Sequence, residues 1–173
     1  MSLYFEGYVA FDLSPNTPQD VIEILSYLCR GEDYDFDVIQ DHEFFDGDYW
    51  RNFLKIENHS CGLPGMTWRE FDKVIRFQKS GEDHYRHTLS FRRTMHDDVE
   101  FYHLWWHFLY WISPYIETRG FVGFYRDTYS VHPTPIYALD GKIFRSEISS
   151  TPVGWYDEEW KAGTDSILPR LSE

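Results

Sequence analysis

The sequence predicts an α+β fold in which two helices lie on one face of an antiparallel sheet, and three stretches of its 173 residues predict it. Residues 97–116 read as an aromatic helix buried on most sides. Residues 3–31 read as a strand followed by an amphipathic helix. Residues 68–93 read as two alternating strands about a tight turn.

In the first stretch, Leu3, Phe5, Val9 and Phe11 alternate with Tyr4, Glu6, Tyr8 and Asp12, the period of a half-buried strand. Ser14-Pro15-Asn16-Thr17-Pro18 then suits a helix start, with Thr17 as cap and Pro18 in the first turn. Val21, Ile22, Leu25, Leu28 and Cys29 form one apolar stripe, and Gly31 closes the helix. Residues 31–66 read as an insertion, with a short helix near 49–55 and a turn at 62–65. Trp68–Phe77 fits either a helix or a strand, and the turn signal Lys79-Ser80-Gly81-Glu82-Asp83 favours a strand. In that phase Phe71, Ile75 and Phe77 share a face. The following strand turns Tyr85, His87, Leu89 and Phe91 inward and His84, Arg86, Thr88, Ser90 and Arg92 outward.

The stretch 97–116 holds three of the seven tryptophans. At about 100° per residue, Phe101, Leu104, Trp105, Phe108, Leu109 and Ile112 form its apolar face. A narrow polar stripe of His96, Glu100, His103, His107 and Tyr110 is left over. Strands are expected over 120–126 and 135–139, and Asp140-Gly141 signals a hairpin into 142–145. Residues 147–173 form a tail expected to lie across the body of a single domain spanning 1–173.

The order strand–helix, insertion, strand–strand–helix–strand resembles the ferredoxin-like split βαβ sandwich, completed here by a C-terminal hairpin. The resemblance is one of architecture, since no motif marks a family. It implies that one face of the sheet has no helices and is solvated, covered by the insertion and tail, paired in a homodimer, or used for binding.

The net charge of −13 argues against a nucleic-acid binder, which needs positive charge to release phosphate counterions. The charge is lopsided. Residues 69–93 hold seven basic and four acidic residues, net +3, and the remainder carries −16. His103 and His107 interrupt the only long apolar run, so no membrane span is expected. The start, MSLYFEGYVAFD, has no basic region ahead of its apolar residues, and the expected setting is cytoplasmic. Cys29 and Cys61 have neither CxxC spacing nor a framework of bridges and are read as reduced. Without a GxGxxG, phosphate loop or GxSxG pattern, no cofactor and no nucleophilic chemistry are expected.

Two places could hold function. On the open sheet face, Tyr8, Asp12, Arg76, Arg86 and Arg92, joined by Arg126 or by Tyr125 depending on the phase of the fourth strand, suit a polar or anionic ligand, because a guanidinium offers a rigid fork of donors. The plain alternative is a surface of cross-strand ion pairs. On the helix stripe, Glu100, His103 and His107 at i, i+3 and i+7 could meet one metal, against the plainer reading of a solvated helix side. Residues 32–48 contain eight acids and no Lys or Arg. Asp33, Asp35 and Asp37 have the spacing that opens a calcium loop, but Val38 and Phe44 stand where its glycine and bidentate glutamate belong.

The expected function is therefore that of a non-enzymatic acidic protein that docks on a basic protein and regulates or neutralises it. Asp33, Asp35 and Asp37 would steer the partner, and Phe44, Phe45 and Trp50 would anchor it. In charge and size such a chain resembles bacterial immunity proteins. A small-molecule binder or small enzyme using the open face or the histidine stripe is the alternative.

Overall fold

The computed structural model describes residues 3–31, 40–54, 68–79, 81–130 and 132–146. In chain order the main elements are β1 (Tyr4–Asp12), α1 (Gln19–Arg30), β2 (Trp68–Lys79), β3 (Glu82–His96), α2 (Trp106–Ile112), β4 (Gly120–Asp127), β5 (Thr134–Leu139) and β6 (Lys142–Arg145). The strands form one six-stranded sheet, ordered β2-β3-β1-β4-β5-β6, in which every neighbouring pair is antiparallel. Among the described residues no helix is long and apolar enough to cross a membrane.

The alternation in β1 and β3 decides which face is covered. Phe5, Val9 and Phe11 of β1 and Leu89, Phe91 and Met95 of β3 are buried in the main cluster, which also takes in Val21, Ile24, Leu25 and Leu28 of α1. The other parity, with Glu6, Tyr8 and Asp12 opposite Thr94, Arg92 and Thr88, lies on the reverse face. Gly31 ends α1 in the left-handed conformation, its N–H bonding the Tyr27 carbonyl. At the other end Pro18, not Thr17, holds the cap position, and the Thr17 hydroxyl donates instead to the Ser14 carbonyl at 2.7 Å. Asp140 and Gly141 both take positive φ, as a two-residue hairpin of this kind requires.

The aromatic stretch departs from a single α-helix. It is π-helical over Asp97–Trp105, α-helical over Trp106–Ile112 and 3₁₀ over Ser113–Tyr115. Its first turns carry Val99, Phe101, Tyr102 and Trp105, side chains of modest α propensity, so tertiary contacts decide their form. Glu100 accepts from the backbone N–H of His96 at 2.7 Å and pairs with Arg93. Phe101 stacks on Phe5 with centroids 3.6 Å apart and planes within 2°. The expected apolar face nevertheless holds, for Phe101, Leu104, Trp105, Phe108, Leu109 and Ile112 are all buried.

Residues 40–54 contribute two 3₁₀ helices, Glu43–Phe45 and Tyr49–Asn52, the second where a short helix was expected near 49–55. Phe44, Phe45, Trp50 and Phe53 are buried with α2, Phe44 stacking on Trp111 at 5.5 Å. Gln40 ties this segment to both helices, donating to Asp20 at 2.7 Å and accepting from the Trp111 indole at 2.6 Å. The turn expected at 62–65, Asp33, Asp35 and Asp37, and the tail 147–173 lie outside the described residues.

A Cβ on Gly7 would stand 2.5 Å from the Trp105 ring and 2.8 Å from the Met95 methyl. Glycine in the middle of a strand is unfavourable by itself, so here it makes room for the indole. Gly7→Ala is expected to lower stability by about 1–3 kcal/mol through overpacking, read as a lower denaturation midpoint at unchanged slope.

Candidate functional site

The register places four side chains in one row across the reverse face of the sheet: Trp68 of β2, Arg92 of β3, Tyr8 of β1 and Phe124 of β4. The adjacent row is Thr94, Glu6 and Arg126. It settles the phase of β4, because Tyr125 turns to the covered face against Phe101 and Arg126 to the open one. Glu6 is the centre of this region. Only 3% exposed, its two carboxylate oxygens each accept from a guanidinium Nε, Arg92 and Arg126, both at 2.5 Å. A carboxylate this buried is tolerated because both oxygens are met by charged donors. Two guanidiniums thus share one carboxylate in a strongly acidic chain.

Beside the arginines, the Tyr8 ring lies 6.0 Å from Trp68 and 5.7 Å from Phe124, centroid to centroid, both tilted. Trp68 remains 37% exposed. Of the residues expected here, Tyr8, Arg92 and Arg126 are thus brought together. Glu6, whose strand parity already put it on this face, completes the group with Trp68 and Phe124; parity in β2 would have found Trp68, whereas Phe124 follows only once the phase of β4 is fixed.

Asp12, Arg76 and Arg86 sit further along the same face. The Asp12 carboxylate accepts from Arg76 at 2.5 Å and from the Thr88 hydroxyl at 2.8 Å. Arg86 makes a two-pronged pair with Glu117 and lies 5.9 Å over the Phe77 ring. With Thr118 these residues line a depression of about 280 Å³. Phe77 is there because β2 shifts register between Ile75 and Phe77, which takes it off the face of Phe71 and stacks it on His84. Each arginine in this second group is paired with a carboxylate, as the plain reading of the face expected.

The helix stripe does not assemble a metal site. Glu100 is committed to Arg93 and to the His96 backbone, whereas His107 faces Glu43 at 3.1 Å and the ring of His103 at 4.2 Å. The π-helical turns break the i, i+3, i+7 fan on which convergence depended. Among the described residues no three metal-ligating side chains converge. Burial and the neighbouring His103 hold His107 below the usual imidazole range, against the pull of Glu43.

Phe44, Phe45 and Trp50 are not the exposed anchors expected of them. They are buried against α2, because each aromatic ring gains far more by joining the core than by waiting for a partner. Their neighbours Asp41, Glu43, Asp46, Asp48 and Tyr49 point outward. Cys29 is a free, buried cysteine whose thiol burial pushes up to about 12.

Glu6→Gln is expected to cost about 2–3 kcal/mol in chemical denaturation, below the 3–5 typical of a broken, fully buried pair because Arg126 keeps 28% of its side chain in water. Cys29 should resist alkylation at pH 8 in a Cys61→Ser background and react once unfolded. Its folded form keeps the proton that the unfolded chain begins to release near pH 9, so it contributes stability below that pH and loses it as pH rises toward 12. Fast labelling of the native protein would contradict this.

No protein-family model matches the chain, and neither a curated protein nor a solved structure matches it.

Proposed function

We propose that this chain is an acidic binding protein that docks on a basic protein and regulates or neutralises it, in the manner of an immunity protein. The observation that supports it most directly is how charge is disposed. Arginines across the fold are bound to carboxylates: Arg30 to Asp72, Arg76 to Asp12, Arg86 to Glu117, Arg92 and Arg126 to Glu6, Arg93 to Glu100 and Arg119 to Asp140. With so many positive charges engaged internally, the surplus that makes the net charge −13 is left for the surroundings.

Residues 41–49 offer part of that surplus in ordered form. Asp41, Glu43, Asp46 and Asp48 project from a segment whose Phe44, Phe45 and Trp50 are held in the core, with Tyr49 exposed beside them. Acids on a fixed backbone can steer a cationic partner, and a tyrosine can anchor it. The ferredoxin-like reading of the sheet belongs to the same proposal, supported by the strand order β2-β3-β1-β4 with α1 between β1 and β2 and α2 between β3 and β4. So does a cytoplasmic setting, in keeping with the reduced Cys29. A second reading, a small-molecule binder on the open face, is favoured by the Glu6, Arg92 and Arg126 trio beside its aromatic row.

Affinity capture at low salt from the native lysate, in parallel with a variant carrying Asp41→Asn, Glu43→Gln, Asp46→Asn and Asp48→Asn, tests the first reading. The wild-type chain should retain a basic protein that elutes with salt, and the variant, still folded, should associate with it about tenfold more slowly. Equal retention by both, or recovery of chaperones alone, counts against docking through this segment.

A further inference from the structure

We infer that the Tyr8, Trp68 and Phe124 row and the Arg126 guanidinium form one site for a small planar aromatic ligand bearing a single oxyanion, a carboxylate or a phosphate. This inference rests on the second reading and gives its ligand a chemistry. Three observations converge on it. The first is charge: Arg126 shares the single Glu6 carboxylate with Arg92, and among the described residues no other acid pairs with it, so its positive charge is only partly met. The second is donor capacity. Arg126 bonds Glu6 through Nε alone, and among the described residues its two terminal amino groups meet no acceptor, although they are fixed in place by that bond. A guanidinium immobilised on one edge presents the rest of its fork at low entropic cost.

The third is the aromatic row. Phe124 lies two residues before Arg126 on the same strand face, and Tyr8 stands opposite Phe124 in the register. Open strand faces are ordinarily polar, and a run of three neighbouring rings there, one of them 37% exposed, suits stacking against a flat ligand. A ring laid on these side chains would bring a substituent on its edge toward Arg126. The net charge of −13 opposes a polyanion at long range, whereas a ligand with one oxyanion suffers little of that repulsion.

Calorimetric titration of the full chain tests this with indole-3-acetate and adenosine 5′-monophosphate as conjugates, and with indole, adenosine, acetate and inorganic phosphate as their separate halves. At least one conjugate should bind about tenfold or more tightly than either of its halves, and the better one tells carboxylate from phosphate. Arg126→Gln should weaken that conjugate about tenfold and leave the ring-only compound unchanged. Tyr8→Leu, which spares the ion pairs and guards against a folding defect in the first variant, should weaken both. Failure of both conjugates to bind, affinities equal to those of the halves, or indifference to both variants overturns the inference. Thermal-shift screening of a metabolite mixture on the same protein separates the two levels. A stabilising compound that lacks the ring or the oxyanion, and loses its effect in Tyr8→Leu, overturns the inference alone. No stabilisation by any compound removes the open-face reading with it.

Discussion

Trp105 has to fit under a sheet, and the rest of the molecule is arranged so that it can. Its indole is fully buried, and it reaches that position because β1 has no side chain at Gly7, where even a methyl group would collide with the ring. With Trp105 seated, Phe101 lies flat on Phe5 and Phe108 meets Phe91, so the aromatic stretch is joined to β1 and β3 through contacts between rings. Close packing leaves few alternatives for such large rigid groups. That is a sufficient reason for the backbone of 97–105 to give up ideal α geometry while the positions of its apolar residues survive.

Burial of aromatics on one side of the sheet has a consequence on the other. Because strand residues alternate, each apolar side chain directed to the core leaves its neighbour on the open face, and those neighbours include Glu6, Tyr8, Asp12 and Arg92. The polar set is thus placed by the same register that builds the core. What distinguishes Glu6 from an ordinary surface acid is its near-complete burial between two guanidiniums, and that comes from the pairing of β1 with β3 on one side and with β4 on the other. A one-residue slip of either neighbour would turn its arginine to the wrong face.

Charge follows the same division. Arginines are used as internal links between strands, helices and loops, and acids outnumber them on the outside. Residues 40–54 show the division within a single segment: the rings of Phe44, Phe45 and Trp50 close over α2, Gln40 bridges Asp20 and Trp111, and the acids between them turn outward. Aromatics among acids can look like an interface in one dimension. In three dimensions they separate, because apolar area is withdrawn from water wherever a core lies within reach.

Periodicity together with turn signals determined the six strands, the first helix, the apolar face of the aromatic helix and the hairpin at Asp140-Gly141; for Trp68–Phe77, where the repeat fitted a helix as well as a strand, the turn that follows decided. It also placed Tyr8 and Arg92 on a common face, since parity is a local property, but left the phase of β4, and with it Arg126, to the pairing with Glu6. Tertiary structure decided what depends on partners far along the chain. The shift in β2 that moves Phe77, the π-helical turns that part Glu100 from His103 and His107, and the burial of Phe44, Phe45 and Trp50 have no signal of their own. Each is set by which surfaces happen to be adjacent after folding, and adjacency is what a linear pattern does not encode.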